Sequence, residues 1–275
     1  MKLTQTIEEE YRHVESAIKK EVKADCEDCK LDLVPLYQKY LESRNCNTGP
    51  RRSAENIYHT CLHFLKKSKE EYAIQDINTF SLQYTTILGC TDHTDFGIFI
   101  SALINKHFEE TRTKKEYTVF INKEKSEISF LGMENEGANI QIVGSTGGFA
   151  GFYMKKGFLH ISGDAGYKLG YEMSGGKIIV EKNADTEVGT SMKGGQIHIK
   201  GDAKDIIGSH MTNGIIKIDG EINALVLKNV RKEHAEIYHK GKNIFDKKKE
   251  TMNKGLIEEK ETMMQKIKKI FGSKK

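Results

Sequence analysis

Residues 170–203 read GYEMSGGKIIVEKNADTEVGTSMKGGQIHIKGDA, and this stretch states one pattern twice. Each copy has a glycine, a methionine three residues later, a second glycine after three more, and then alternating β-branched residues. Such a stretch is either a glycine-rich loop that holds a ligand or a structural repeat whose glycines serve backbone geometry. The spacing of the same residues elsewhere in the chain separates these two interpretations.

The pattern recurs with a 19-residue period, which favours the structural repeat. The repeated glycines are Gly151, Gly170, Gly189 and Gly208 at a first position, Gly157, Gly176, Gly195 and Gly214 at a second, and Gly163 and Gly201 at a turn. A unit this short cannot bury its apolar face alone, so the units must stack. We therefore predict a parallel β-helix over residues 118–240, with one repeat per coil and coils about 4.8 Å apart.

The segment MKGGQIHIKGDA at residues 192–203 resembles the repeat of the GXGXG family. That family contains the C subunit of formylmethanofuran dehydrogenase and the C-terminal domain of the large glutamate synthase subunit, and the resemblance covers about residues 130–240. It implies a right-handed β-helix that packs against catalytic subunits and holds no catalytic or cofactor-binding residue of its own. It also implies a redox or amidotransferase-type enzyme as the partner, although no cysteine follows Met1 as an amidotransferase nucleophile would.

Two zones of different composition flank the repeat. Residues 1–112 carry apolar residues every three or four positions, as at Leu36, Tyr37 and Tyr40, which predicts a helical domain of unknown type. Residues 243–275 are rich in lysine and predict an amphipathic helix. The expected fold is thus α+β and multidomain, and the last helix would cap the solenoid, dock a partner or contact an anionic membrane surface.

The overall composition limits the classes of function. A net charge of +4 from 43 basic and 39 acidic residues is a mixed surface, which does not argue for nucleic acid. All five cysteines lie in the first third of the chain, which is typical of reduced thiols rather than of a disulfide framework. No early apolar segment and no long uncharged run is present, so we expect a cytoplasmic protein.

The cysteines also suggest a metal site. Cys26 and Cys29 have the spacing of half a tetrahedral zinc site, and Cys46 with Cys61 would complete it. His59 and His63 beside Cys61 are alternative fourth ligands. Zinc and unliganded thiols both remain open as interpretations of this set.

Other sequence features allow weaker interpretations. A thiol and an imidazole at Cys90 and His93 would suit nucleophilic catalysis if they met. Gly144 to Gly151 lacks the G-K-[ST] ending of a phosphate loop and falls in register with the turns between coils. The methionines that share the period of the glycines are typical of core packing.

The function expected from these features is that of a non-catalytic scaffold with a protein partner. Outward residues such as Lys155, Lys177, His198, Lys200 and Lys217 would form its docking surface. The alternatives are a subunit of a formylmethanofuran dehydrogenase-like or glutamate synthase-like oxidoreductase complex, or an enzyme. The enzyme alternative places a site in or beside the helical domain, in a pocket lined by Asp92, His93 and Asp95.

Overall fold

A computed structural model describes residues 31–45, 53–87, 93–121 and 128–223, together with residues 227, 229–231 and 234–245. The described part of the first zone is helical, as predicted, and it forms four helices. These are α1 (Val34–Asn45), α2 (Ala54–Ser68), α3 (Ile74–Ile87) and α4 (His93–Thr111). Residues 1–30 of the predicted helical domain lie outside the described residues.

A single eight-stranded sheet follows the helices, and its strands are in chain order. They are β1 (Glu116–Phe120), β2 (Glu136–Val143), β3 (Lys156–Ile161), β4 (Lys177–Val180), β5 (Gln196–Ile199), β6 (Gly214–Ile218), β7 (Ala235–His239) and β8 (Lys242–Asn243). Strands β1 to β7 pair in parallel. Parallel neighbours in chain order require the chain to circle back after each strand, and the result is a solenoid of about six turns.

The register of the strands confirms the 19-residue coil. Ile178 pairs with Leu159 on one side and with Ile197 on the other. A second line of bridges joins Thr146, Ala165, Ala184, Ala203 and Ile222 on another wall of the coil. The last coil is longer, because Ile237 pairs with Ile216, whereas an unchanged period would pair it with Ile218.

Rows of equivalent side chains fill the inside of the solenoid. The members are Ile140, Leu159, Ile178, Ile197, Ile216 and Ile237 in one row, Ile142, Ile161, Val180, Ile199 and Ile218 in a second, and Met154, Met173, Met192 and Met211 in a third. None of them is more than 1% exposed. Burial of each such side chain stabilises the fold by roughly 1.5–3 kcal/mol, so these rows contribute a large share of the stability of the solenoid. The methionines are core residues, as their spacing predicts.

Gly170 shows why one position of the repeat is always glycine. Its φ is +66°, and a Cβ added there would lie 2.5 Å from Cδ1 of Ile197 in the next coil. Lys168 and Glu172 have φ values of 57° and 51°, but their side chains reach the surface. The left-handed backbone is thus tolerated by other residues where the side chain points outward. Glycine is needed where the same backbone points inward.

The helices close the first edge of the solenoid. Helix α3 lies along β1, where Asn78 Oδ1 accepts the N–H of Thr118 at 3.0 Å and Ser81 Oγ accepts the N–H of Phe120 at 3.1 Å. Helix α4 packs on the first incomplete coil, where Ser101 Oγ accepts the N–H of Gly132 at 3.0 Å. Buried residues of the helices and of the coils form one continuous hydrophobic core.

The other end of the solenoid is closed in part by a hairpin. Strand β8 turns back and pairs antiparallel with β7 at Tyr238 and His239. The predicted C-terminal helix, placed in residues 243–275, lies outside the described residues except for the end of β8 and a short turn. Among the described helices, none combines the length and the apolar character that a membrane span needs.

Candidate interaction face and helix–coil junction

The outward side of strands β3 to β6 forms a regular surface, which we call the sheet face. Its residues alternate along each strand with the buried ladder residues, as in the exposed-buried alternation of β4 and β5. Its members are Phe158, His160, Lys177, Ile179, Gln196, His198, Ile215 and Lys217, all exposed or half-buried. The sheet face therefore combines apolar side chains with cationic and polar ones at the spacing of the coils.

The two histidines of the sheet face are joined to polar residues that directly follow its strands, in neighbouring coils. Glu181 accepts hydrogen bonds from Lys200 Nζ at 2.6 and 2.7 Å and from His160 Nε2 at 2.6 Å. His198 Nε2 donates to Asp219 Oδ2 at 2.8 Å. These bonds tie residues of neighbouring coils into one arrangement.

The partners of Glu181 set its pKa. Burial of the carboxyl raises the pKa, but the hydrogen bonds from Lys200 and His160 outweigh that effect, so the pKa of Glu181 lies below its ordinary value. The other ring nitrogen of His160, Nδ1, lies 2.6 Å from Oε1 of Gln141 in the preceding coil. The imidazole is thus held from both sides.

A shallow cavity of about 310 Å³ lies at the far end of the sheet face. Ile215, Lys217, Glu236 and Tyr238 line it. Lys217 Nζ lies 5.9 Å from the centre of the Tyr238 ring, at cation–π distance. At this end of the sheet face, the apolar Ile215 and the Tyr238 ring lie beside the cationic Lys217 and the anionic Glu236.

A second feature is an aromatic cluster on the turns of the first coils. Phe130 and Phe149 stack at 4.8 Å, and Tyr167 meets Phe149 edge-on at 5.0 Å. Lys168 Nζ lies 5.3 Å from the centre of the Phe149 ring. Tyr167 is 46% exposed, so the outer side of this cluster faces solvent.

The junction between α2 and the first coils brings together titratable residues that are far apart in sequence. Glu55 and His59 lie one turn apart on α2, and Glu134 lies in the turn before β2. One ligand atom from each of these three side chains lies within 4.8 Å of the other two. His59 Nε2 is 3.3 Å from Glu134 Oε1, and Lys155 Nζ is 3.2 Å from Glu134 Oε2.

Cys61 does not belong to this junction. Its side chain is fully buried in α2, on the side of the helix that carries the buried Tyr58 and Leu65. His59 and His63 line a cavity of about 450 Å³ on another side of the helix. Positions 59 and 63 share a face of a helix, whereas position 61 lies about 200° from 59, so these neighbours in sequence are separated in space.

A third cavity, of about 570 Å³, lies beside α4 and is lined in part by Tyr72, Lys106, His107 and Glu110. His107 Nδ1 lies 2.8 Å from the hydroxyl of Tyr117. Burial lowers the pKa of His107 below its ordinary value, and burial raises the pKa of Tyr117 to about 12. Burial therefore favours the neutral form of this imidazole over the charged form.

The predicted site residues have different outcomes in the structure. Cys26, Cys29, Cys46, Cys90 and Asp92 lie outside the described residues, so both the four-cysteine zinc site and the Cys90–His93 pair stay predictions. Asp95 is buried in the first turn of α4. Nothing in the sequence distinguishes Glu55 and Glu134 from other acidic residues, although His59 and His63 at helical spacing indicate a candidate ligand-binding face.

Comparison of the chain with protein-family models and with curated proteins finds no match.

Proposed function

We propose that this protein is a non-catalytic scaffold whose sheet face docks a partner protein. We also propose that its solenoid is the right-handed β-helix of the GXGXG type, in keeping with the glycine and methionine pattern. The partner by this resemblance is a redox or amidotransferase-type enzyme subunit, as in formylmethanofuran dehydrogenase-like and glutamate synthase-like complexes.

Docking is supported by the hydrogen bonds that hold side chains at the sheet face in fixed positions. The bonds among His160, Glu181 and Lys200 fix side chains before any partner arrives. Immobilising a long side chain on binding costs about 0.5–1.5 kcal/mol, and a face that is already ordered avoids part of that cost. Such surface ion pairs add only about 0–1 kcal/mol to stability, so ordering the face for recognition is the larger contribution in this proposal.

The apolar members of the sheet face support the same proposal. Phe158, Ile179 and Ile215 are half-buried on a surface whose neighbours are polar. Protein interfaces contain apolar as well as polar groups, and these three residues supply apolar area between polar neighbours such as Lys177 and Gln196. The inside of the solenoid is filled by side chains, so recognition falls to its surface.

The experiment compares two charge-reversal variants of the full chain. The first is Lys177→Glu with Lys217→Glu on the sheet face, and the control is Lys193→Glu with Lys204→Glu on other flanks, which changes the net charge equally. Proteins captured from the native extract are identified by mass spectrometry, and the binding of each purified candidate is then measured. A partner that loses at least tenfold in affinity for the first variant and keeps its affinity for the control supports the proposal. Equal affinities for both variants contradict it.

A second candidate function is an enzyme with its site beside α4. The specific observation is the buried imidazole of His107, whose pKa is lowered and which lines a cavity with Lys106 and Glu110. Such a group suits general-base catalysis. Turnover of a small substrate that His107→Gln abolishes, while the His198→Gln control retains it, would favour this candidate over the scaffold.

A further inference from the structure

We propose that Glu55, His59 and Glu134 bind a divalent transition-metal ion, of which zinc is the best fit, and that the ion links α2 to the first coils of the solenoid. The site uses none of the four predicted cysteines. It is independent of the docking role of the sheet face.

The distance between two of the ligand atoms supports a metal at this junction. His59 Nε2 and Glu134 Oε1 are 3.3 Å apart. A charge-assisted hydrogen bond between such groups is shorter, at about 2.7–2.9 Å. Two ligand atoms that are each about 2.0–2.2 Å from a tetrahedral zinc ion lie roughly 3.3–3.6 Å apart, which is the observed separation.

The burial of Glu134 supports a cation as well. The residue is only 6% exposed, and a buried carboxylate needs a compensating positive charge. In the described part of the chain, the lysine beside it is Lys155, which is 46% exposed and is shared with Glu136 at 2.9 Å. Lys155 contacts Oε2, whereas Oε1 faces His59, so one carboxylate oxygen is directed toward the position of the ion.

The backbone around the three ligands is held in place by a buried amide. Asn105 Nδ2 on α4 donates to the hydroxyl of Tyr58 at 2.7 Å and to the carbonyl of Met133 at 3.0 Å. Tyr58 precedes His59, and Met133 precedes Glu134. One side chain therefore fixes the helix that carries two ligands relative to the coil that carries the third.

The backbone at two of the ligands is also held by hydrogen bonds. Ser53 caps α2 by accepting the N–H of Asn56 at 3.3 Å, which orders the turn that carries Glu55. The N–H of Glu134 donates to the carbonyl of Phe152 at 2.8 Å, so this residue is held by the next coil. Rigid supports of this kind lower the entropy cost of binding an ion.

The ligand types select the class of ion. Imidazole with carboxylates suits zinc and its neighbours in the first transition series, whereas calcium and magnesium prefer all-oxygen sites. His59 also lines a cavity with His63, from which water can supply a further ligand. The ion would therefore join two parts of the fold at an accessible site.

The test is titration of the full chain, first with Zn²⁺ by calorimetry and then with Co²⁺ by visible absorption. We expect one equivalent to bind and His59→Ala to weaken that binding at least tenfold, with Glu134→Gln as a second loss variant. The exposed His210→Ala is the control and should bind as the wild type does. Because His59 is exposed, its variant should fold, and circular dichroism checks this.

Cysteine ligation is the competing explanation, and a Cys26→Ser, Cys29→Ser, Cys46→Ser variant separates it. We expect this variant to keep the bound equivalent, and we expect the Co²⁺ complex of the wild type to show no thiolate charge-transfer band. Loss of binding in the cysteine variant, unchanged binding in His59→Ala, or no binding at micromolar ion would each overturn the proposal.

Discussion

Asn78 on α3 accepts a hydrogen bond from the backbone N–H of Thr118 on the first strand, at 3.0 Å. The contact joins distant parts of the sequence and places a side chain where the solenoid would otherwise need another strand. Open strand edges invite pairing with other chains. The helical region, whose type the sequence did not indicate, thus acts as the cap of the first coil.

Replacement of Asn78 should reveal how much this cap contributes. Asn78→Ala leaves the N–H of Thr118 without its partner, and we expect a loss of about 1–2 kcal/mol in the free energy of unfolding. Urea denaturation measures the change. Asn78→Asp keeps an acceptor oxygen and serves as the control; an equal loss in both variants would argue against the hydrogen bond as the cause.

The double variant Asn78→Ala, Ser81→Ala removes both side-chain acceptors along β1. We expect it to associate with itself more than the wild type, because two edge N–H groups become available for pairing. Light scattering over a range of protein concentrations measures this association. A monodisperse double variant would show that other parts of α3 protect the edge.

The inward glycines should be far less replaceable than their outward neighbours. Gly170→Ala places a Cβ 2.5 Å from Ile197 Cδ1 in a left-handed backbone, and we expect a loss of about 2–4 kcal/mol. Ser191 has a φ of 57° with a half-buried side chain, so Ser191→Gly should leave the free energy of unfolding unchanged or raise it by up to about 1 kcal/mol. Similar losses in the two variants would contradict this explanation of the repeat.

Adjacent isoleucines of β4 provide a test of which wall is the core. Ile178 is fully buried and Ile179 is half-buried on the sheet face. We expect Ile178→Ala to cost about 2–5 kcal/mol and Ile179→Ala less than about 1.5 kcal/mol, measured by chemical denaturation. The reverse order would mean that the register of this strand is wrong.

The coil-to-coil bonds of Glu181 predict a dependence of stability on pH. The pKa of Glu181 is lower in the folded chain than its ordinary value of 4.5, so the unfolded chain takes up the proton first. The stabilisation is therefore complete above pH 4.5 and is lost as the pH falls through the folded pKa. The difference in Tm between the wild type and Glu181→Gln should be largest near pH 7 and should shrink in that acidic range.

Lys200→Met provides the matched background for the same measurement, because it removes the donor of two of the bonds to Glu181. In that background the effect of Glu181→Gln should be smaller at neutral pH. If the effect of Glu181→Gln is the same with and without Lys200, the ion pair does not set the pH dependence.

The sequence predicts the solenoid well because its repeat is a local signal. Glycine, methionine and isoleucine recur with the 19-residue period, and the same spacing determines which residue lies above which, as Ile178 lies between Leu159 and Ile197. The last coil departs from this period. The alternation of its strand still predicts that Ile237 points inward. The 19-residue spacing would place Ile237 above Ile218, whereas the structure places it above Ile216. Periodicity thus carries both the fold and its register, as far as the period itself extends.

The junction could not be predicted in the same way. Glu134 occupies a turn position that holds Tyr153, Glu172, Ser191 and His210 in later coils, so the repeat gives its acidic side chain no special status. Its partners His59 and Lys155 come from a helix and from a different coil. Contacts between a repeat and a non-repeating region depend on how the two regions pack. The spacing of residues within either region does not predict that packing.

The two ends of the sheet differ, and this difference restricts where coils can be inserted into the chain or deleted from it during evolution. Helix α3 occupies the outer edge of β1, and the β7–β8 hairpin occupies part of the last edge. A duplicated copy of one coil fits only between existing coils, where the strand above and the strand below already supply matching rows. Related chains would therefore differ by whole coils inserted or deleted in the middle of the solenoid, while both end structures were kept.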